Sequence, residues 1–429
     1  MVKQSSSKQR VFPLPILLFI IILTLGNSAA VAQTPPDILG GSAILADGKS
    51  GRILFEKNPD AVFPPASMTK MMTEYLILEA IKSGKISWDQ KISISDYAYT
   101  ISQNRKLSNV PLRKDDRYSV RELYESMIIY SANGSTIALA ELVGGTETNF
   151  LKMMSAKAKQ MGLKNYKFVN CTGLNNRDLK DFRPRGTGPE EENLMSARST
   201  AVLAYRLIHD FPDVLKTSSI PTKVFREGTT DRIKMENWNW MLPELVYGYP
   251  GCDGIKTGST DLGGYSFTAT ARRKGIRLIS VVMKTGSYGE RFGQTKKLLD
   301  YGFENYSEKQ VLPSGYKTTL PVANGKQKSV VVVTKKPLVV LAKKNEQRLF
   351  TPAYRLNPAL SKGDALLAPL AKGQTVGFLT TNYKGTPNYG YLTEQGKEKV
   401  EISTTSAVKR ASWLALLFRR IFGFFGRIF

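Results

Sequence analysis

The stretch GIKTGSTDLGGYSFTATARRKGIRLISVVMKTGSYGERF, Gly254 to Phe292, decides the fold. It holds three β-rich runs, GIKTG, GYSFTATA and IRLISVVM, and the last two are joined by Arg272-Arg273-Lys274-Gly275. Runs linked so tightly pair antiparallel, because a parallel crossover needs about a dozen residues. The stretch also carries Lys-Thr-Gly-Ser twice, at Lys256 and at Lys284. A strand-edge lysine and hydroxyl can bind an anion, and a glycine beside them admits a close backbone approach. Taken alone, either triplet reads equally well as a surface strand lysine.

Upstream, SAILAD and GRILFEKN flank Gly48-Lys49-Ser50 and read as a β-hairpin. In PPASMTKMMTEYLILEAIKSGK, Pro64 and Pro65 force an extended approach to a helix that starts near Ala66 or Ser67 and stops at Ser83-Gly84. That helix is apolar nearly all round, so it belongs inside a domain. VRELYESMIIY, TIALAELVGG, NLMSARSTAVLAYRLIHDF and ERFGQTKKLLDYGFENY also read as helices. The expected class is α+β, with helices around a mainly antiparallel sheet over residues 37–306. Beyond it, YKTTLPV, KSVVVVT, PLVVLA, TVGFLTT and YGYLTE predict a small all-β domain, a sandwich, over 307–402.

The two ends read differently. MVKQSSSKQR is basic and acid-free, an apolar run follows from Val11 to Leu25, and Ala30 and Ala32 are small. Residues 1–32 are therefore expected to be a secretory signal cleaved before Gln33, in preference to an uncleaved anchor. At the other end, residues 406–429 predict an amphipathic helix. Trp413, Leu414, Leu417, Phe418, Ile421, Phe424, Phe425 and Ile428 share one face, and Arg419, Arg420 and Arg427 fall elsewhere. Such a helix lies in a membrane interface with its cations on anionic headgroups, and its arginines keep it from spanning. The 429 residues carry a formal charge of +25, which in an exported chain suits an anionic lipid or wall surface. No recognisable nucleic-acid motif accompanies it.

One His and two Cys, Cys171 and Cys252, leave too few ligands for a structural zinc cage and exclude a disulfide scaffold. His209 falls near a helix end, where the dipole favours a cation, so a Ser-His-Asp triad is not expected. A serine enzyme here needs another base, and lysine qualifies if burial and a nearby cation depress its pKa. Ser67 and Lys70 stand three apart, on one helical face at a helix start. Ser5/Lys8 and Ser314/Lys317 share that spacing but lie in the signal and in a loop. Ser131-Ala132-Asn133, between two helical segments, can put a proton-relaying hydroxyl and a carbonyl-binding amide into a cleft. Ser102-Gln103-Asn104 repeats the pattern in a stretch that reads as irregular.

The order Ser67/Lys70, Ser131/Asn133, Lys256/Thr257/Gly258 resembles that of the serine penicillin-recognising enzymes. PPASMTKMMT, SANGSTIALAE, NLMSARS and CDGIKTGSTDLGGYS narrow the resemblance to the D-alanyl-D-alanine carboxypeptidases among the low-molecular-mass penicillin-binding proteins. It covers residues 42–306 well, and APLAKGQTVGFL and the tail look like that family's second domain and anchor. The resemblance implies a β-lactamase/transpeptidase-like first domain with Ser67 as acylated nucleophile and Lys70 as its proton acceptor. It further implies Ser131 as a proton relay beside Asn133, and Lys256, Thr257, Gly258 and Ser259 as substrate ligands. The backbone N–H groups of Ser67 and Ser259 would form the oxyanion hole. The family commonly has a histidine where Ser259 stands.

The implied substrate is the D-Ala-D-Ala end of a peptidoglycan stem peptide, β-lactams are the implied inhibitors, and no cofactor is needed. The implied place is the outer face of the cytoplasmic membrane. Two alternatives stay open, a D,D-endopeptidase on crosslinks and a class A-like β-lactamase. The latter needs a deacylating Glu, for which Glu190 to Glu192 are the acids in range.

Overall fold

Apolar residues run consecutively along β1, Ser42–Asp47, from Ala43 to Ala46, and every one of them is buried. Ile44 and Ala46 face one core, Ala43 and Leu45 another, so the sheet is covered on both sides. The computed structural model describes residues 1–2 and 34–425, the side chains of 420–425 apart. The expected signal segment 1–32, with the Ser5/Lys8 pair, lies outside the described residues apart from its first two.

The main sheet has five antiparallel strands. In spatial order they are Cys252–Thr260, Gly264–Arg273, Ile276–Thr285, β1 and β2, Ile53–Lys57. The three runs of the opening stretch thus form the expected meander, and the Lys256 strand is an edge of the sheet. On one face lie α1 (Lys70–Lys82), α2 (Asp96–Ser102), α3 (Val120–Ile129), α4 (Asn133–Gly144), α5 (Glu147–Gln160) and α6 (Ala197–Asp210), with the short α7 (Val214–Ser218) against the edge strand. On the other lies α8, Tyr288–Asn305, through Phe292, Leu298 and Leu299.

Local chemistry explains several boundaries. Ser119 and Glu122 close a capping box at the start of α3. The Ser67 helix opens as a 3-10 turn, Ala66–Thr69, before the α-helix begins at Lys70. Ser102 is the buried last residue of α2, whereas its stretch read as irregular. In NLMSARS the first residues form a short strand, Leu194–Ser196, and Ser196 caps α6.

The duplicate triplet has its own explanation. Between Tyr265↔Thr285 and Phe267↔Val282 the register slips, so Met283 and Lys284 oppose Ser266 alone. Lys284 sits in this β-bulge at φ 57°, with its ammonium 5.1 Å from the Phe63 ring centroid. Ser287, the serine of the second tetrad, is the N-cap of α8. Lys256, by contrast, lies in regular pairing opposite Thr268.

After α8 the chain is all β. A seven-stranded sheet and a two-stranded one, Tyr306–Leu312 with Leu338–Lys343, surround a core of Leu320, Val332, Val376 and Ile402. YGYLTE is not a strand of either sheet. Its Gly390 and Leu392 exchange backbone hydrogen bonds with Ile53 and Gly51, so the run reaches back to the first hairpin. Single bridges at Val408 and Arg410 hold the chain on the β-domain past 402, and α9 runs Trp413–Phe425. No described helix is long and apolar enough to cross a membrane.

Candidate active site

Gly258 brings the edge strand against the Ser67 turn. A Cβ there would stand 2.3 Å from the Pro65 carbonyl oxygen, so only glycine allows the approach. The sequence reading gave this glycine to the substrate backbone; the structure also sets it against the protein's own backbone at Pro65. The resulting cleft, about 50 Å³, is lined by Ser67, Ser131, Thr257, Gly258 and Ser259 from the expected set, and by Ser108, Trp238, Tyr288 and Arg291.

Lys70 lies beneath, 0% exposed. Its ammonium donates to Ser67 Oγ at 3.0 Å, Asn133 Oδ1 at 2.7 Å and the Thr172 carbonyl at 2.9 Å. Asn133 Nδ2 donates to the Ser108 carbonyl at 3.0 Å, which fixes which amide atom faces Lys70. Two of the three Lys70 partners can only accept, and the third is a hydroxyl. A neutral Lys70 would keep its two N–H groups on the acceptors and turn its lone pair to the Ser67 O–H. Burial, and next the positive charge of Lys256, hold Lys70 well below the ordinary lysine range. The seat therefore favours a base.

Asn133, expected as a substrate ligand, has its carbonyl committed to Lys70 and one amide hydrogen to Ser108. One N–H remains. Ser131 sits at φ 61°, a strained conformation for a serine, and its buried hydroxyl has no hydrogen-bond partner among the described residues. Lys256 is 4% exposed and donates only to its own neighbour, the Thr257 carbonyl, at 3.3 Å. Burial first, and then Arg291, push it down to about 7, while Glu74 pulls the other way.

Sequence reasoning missed Arg291. It is 1% exposed, its guanidinium packs 4.7 Å from the Tyr288 and Phe292 ring centroids and donates to the Gly258 carbonyl, and burial lowers it to about 10. Its Nε is buried with no partner. The one sequence signal was a cation directly before Phe292, in the first turn of α8. The loop carrying Thr172 was missed as well. Asn193 accepts from the Val169 and Asn170 N–H groups and donates to Thr69 Oγ1 and the Asn170 carbonyl, which ties the loop to the Ser67 turn.

The remaining possibilities fall elsewhere. His209 contacts the Gly48 carbonyl at 2.8 Å and stacks on Tyr205. Cys171 and Cys252 are free, buried thiols. Glu190 pairs with Arg177, Glu191 with Lys167, and Glu192 accepts from Thr260 Oγ1. None of them lines the cleft, and among its described lining residues there is no carboxylate.

This geometry meets a match in known proteins. Residues 28–287 fit the model of the D-alanyl-D-alanine carboxypeptidase family, which is more than half the chain. The chain belongs to that family. Residues 306–410 fit the C-terminal domain of penicillin-binding protein 5. The D-alanyl-D-alanine carboxypeptidase DacF of Bacillus subtilis is 31% identical over 86% of this chain and 90% of its own length. Among solved structures, a peptidoglycan synthesis regulatory factor (PBP3) from Streptococcus pneumoniae superposes with TM-score 0.75. It is 32% identical and covers 87% of this chain and 100% of its own. The ampicillin-bound form of penicillin-binding protein D2 from Listeria monocytogenes gives 0.52 at 32% identity, over 63% of this chain and 100% of its own. The penicillin-binding fold expected from the motifs, with its all-β C-terminal domain, is the one found.

Proposed function

We propose that this carboxypeptidase family member removes the terminal D-alanine of peptidoglycan stem peptides through an acyl-enzyme on Ser67, and that β-lactams acylate the same residue. The observation that carries the reading is the Lys70 seat, with two obligate acceptors and the Ser67 hydroxyl around one depressed amine. An extended stem peptide adds along the outer edge of the Cys252–Thr260 strand, which is terminal in its sheet and so offers a side for strand addition. Its terminal carboxylate meets Thr257, with the charges of Lys256 and Arg291 behind it.

Ser67 Oγ attacks the scissile carbonyl as Lys70 takes its proton, and the Ser67 and Ser259 N–H groups receive the oxyanion. The proton passes through Ser131 to the leaving D-alanine amine. Water then attacks the ester and gives one of its own protons, through Lys70, to the departing Ser67 Oγ, while its hydroxyl stays on the released, shortened peptide. Asn133 acts on Lys70 and offers its remaining N–H to substrate. The absence of a carboxylate among the described cleft residues favours a persistent penicilloyl-enzyme over a β-lactamase. Beside the cleft an open groove of about 680 Å³, sharing Ser259 and Tyr288, gives room for the rest of the stem.

The same proposal divides the chain near residue 306 and places the export signal at 1–32. It puts α9 on the anionic outer face of the cytoplasmic membrane. Trp413, 71% exposed, and Leu414 and Leu417 support that placement, whereas Arg419 donates to the Gly325 carbonyl of the β-domain and ties the helix to it. Fluorescent penicillin should label the purified protein covalently, and Ser67→Ala should abolish both labelling and D-alanine release. Normal labelling of Ser67→Ala would sink the assignment.

A further inference from the structure

The second Lys-Thr-Gly is left unused by the acylation chemistry, yet it fronts the same opening. The groove beside the cleft, about 680 Å³, shares Ser259 and Tyr288 with it and is lined further by Asp261, Lys284, Thr285 and Gly286. The bulge is what puts Lys284 there. Regular pairing sends successive side chains to opposite faces, and Met283 already lies in the core that holds α1. At φ 57° the extra residue breaks that alternation, and Lys284 lies over Phe63, which packs on the same core. Its ammonium therefore stands on the Ser67 side of the sheet.

The Lys284 backbone also flanks the turn after the edge strand, where a Cβ on Gly264 would stand 3.5 Å from the Lys284 Cα. An exposed cation is usually idle in solvent, but this one is placed and unclaimed. It packs 5.1 Å from the Phe63 ring centroid and, among the described residues, pairs with no carboxylate. Asp261 is held by Arg177 at 3.4 Å, and Glu290 accepts from the Gly286 N–H.

We propose that Lys284 is a specificity residue of this site, binding a carboxylate at the side-chain end of the stem residue that precedes the two D-alanines. This rests on the carboxypeptidase reading above. With the terminal carboxylate at Thr257 and the reacting carbonyl at the Ser67 and Ser259 N–H groups, the rest of an extended peptide runs toward Thr260 and Asp261. Each residue advances about 3.4 Å, so the one before the D-alanines reaches the groove. A stem carries a diamino acid there, whose side chain ends in an amine alone or in an amine beside a carboxylate. The amine is common to both kinds, and a cation distinguishes them. Penicillin has no such side chain, so its acylation rate does not report on Lys284.

The test is D-alanine release by the full chain from two acyl-diaminopimelyl-D-Ala-D-Ala peptides, one with the side-chain carboxylate free and one with it as the carboxamide. The two have nearly one shape and differ by one charge. A solvent-exposed ion pair sets the scale, so KM for the free carboxylate should be about threefold to fivefold lower in wild type. The contact is made alike before and in the transition state, so kcat should be equal for the two. High salt should bring the KM ratio toward one.

Lys284→Gln should bring that ratio to about one at low salt, and Lys284→Glu should invert it, which a merely structural role of the bulge would not do. Should either variant fail to fold, the salt dependence of the wild-type ratio decides. Equal KM values in wild type, or a preference that survives Lys284→Gln, overturns the proposal. The two layers separate cleanly. If wild type releases no D-alanine from either peptide, or Ser67→Ala still releases it, the carboxypeptidase reading falls and takes this proposal with it. Release from both peptides without preference removes the role of Lys284 alone.

Discussion

Lys256 and Lys284 carry the same four-residue signature and have opposite surroundings. Lys256 is buried in regular pairing beside the Ser67 turn, while Lys284 is exposed in a bulge over Phe63. Lys256→Ala should cripple penicillin acylation and Lys284→Ala should leave it nearly unchanged, as scored by fluorescent penicillin labelling rates. The residual rate of Lys256→Ala should also move with pH. Burial and then the Lys256 charge lower Lys70, so loss of that cation lets the Lys70 pKa rise and the acid limb of acylation shifts to higher pH. An unmoved limb would mean that Lys256 does not act on Lys70. At this scale the meeting of Ser67, Lys70 and the Lys256 strand was legible, because each belongs to a short run with fixed spacing. Arg291 and Thr172 were not, since tertiary packing alone brings α8 to the cleft and a loop to Lys70.

The element that sets the cleft is the pair formed by the edge strand and the 3-10 turn. Gly258→Ala would set a methyl against the Pro65 carbonyl and force the two apart. It should lower stability by about 1–3 kcal/mol and reduce acylation far more than stability, as calorimetry and labelling would show. Asn193→Ala would leave the buried N–H groups of Val169 and Asn170 unpaired, at about 1–3 kcal/mol each, and release the Thr172 carbonyl from Lys70. The meander, the buried helix and α8 were readable from periodicity and turn residues. Two readings failed for definable reasons. Polar side chains of the Ser102 segment hid a short helix whose N-cap is Ser95, and the alternation of YGYLTE serves pairing with a distant hairpin.

Across the whole molecule, the two domains share more than a linker. Arg52, beside the first hairpin, packs 4.8 and 4.5 Å from the ring centroids of Phe350 and Tyr383, reaches Glu346 at 3.6 Å and donates to the Leu341 carbonyl. Arg52→Ala leaves Glu346 without this partner and should cost about 3 kcal/mol, seen as faster protease cleavage between the domains with D-alanine release by the first domain retained. Deleting Trp413 to Phe429 should free the protein from anionic membranes with D-alanine release intact. If the truncated form still pellets with vesicles, α9 is not the anchor. Both domains and the terminal helix were visible as changes of texture along the chain. The Arg52 clasp was not, because an arginine before a strand looks like any surface cation.

That clasp has a mechanical consequence. A catalytic head on a loose tether sweeps a broad volume, and its local concentration falls as the tether lengthens. A head clamped to its stalk by a buried cation and a borrowed strand segment stays at one height and one orientation above the base of the stalk. With α9 anchoring the stalk as proposed, stem peptides would become substrates by entering that layer, and the span of the β-domain would set the distance from the membrane at which the wall is trimmed.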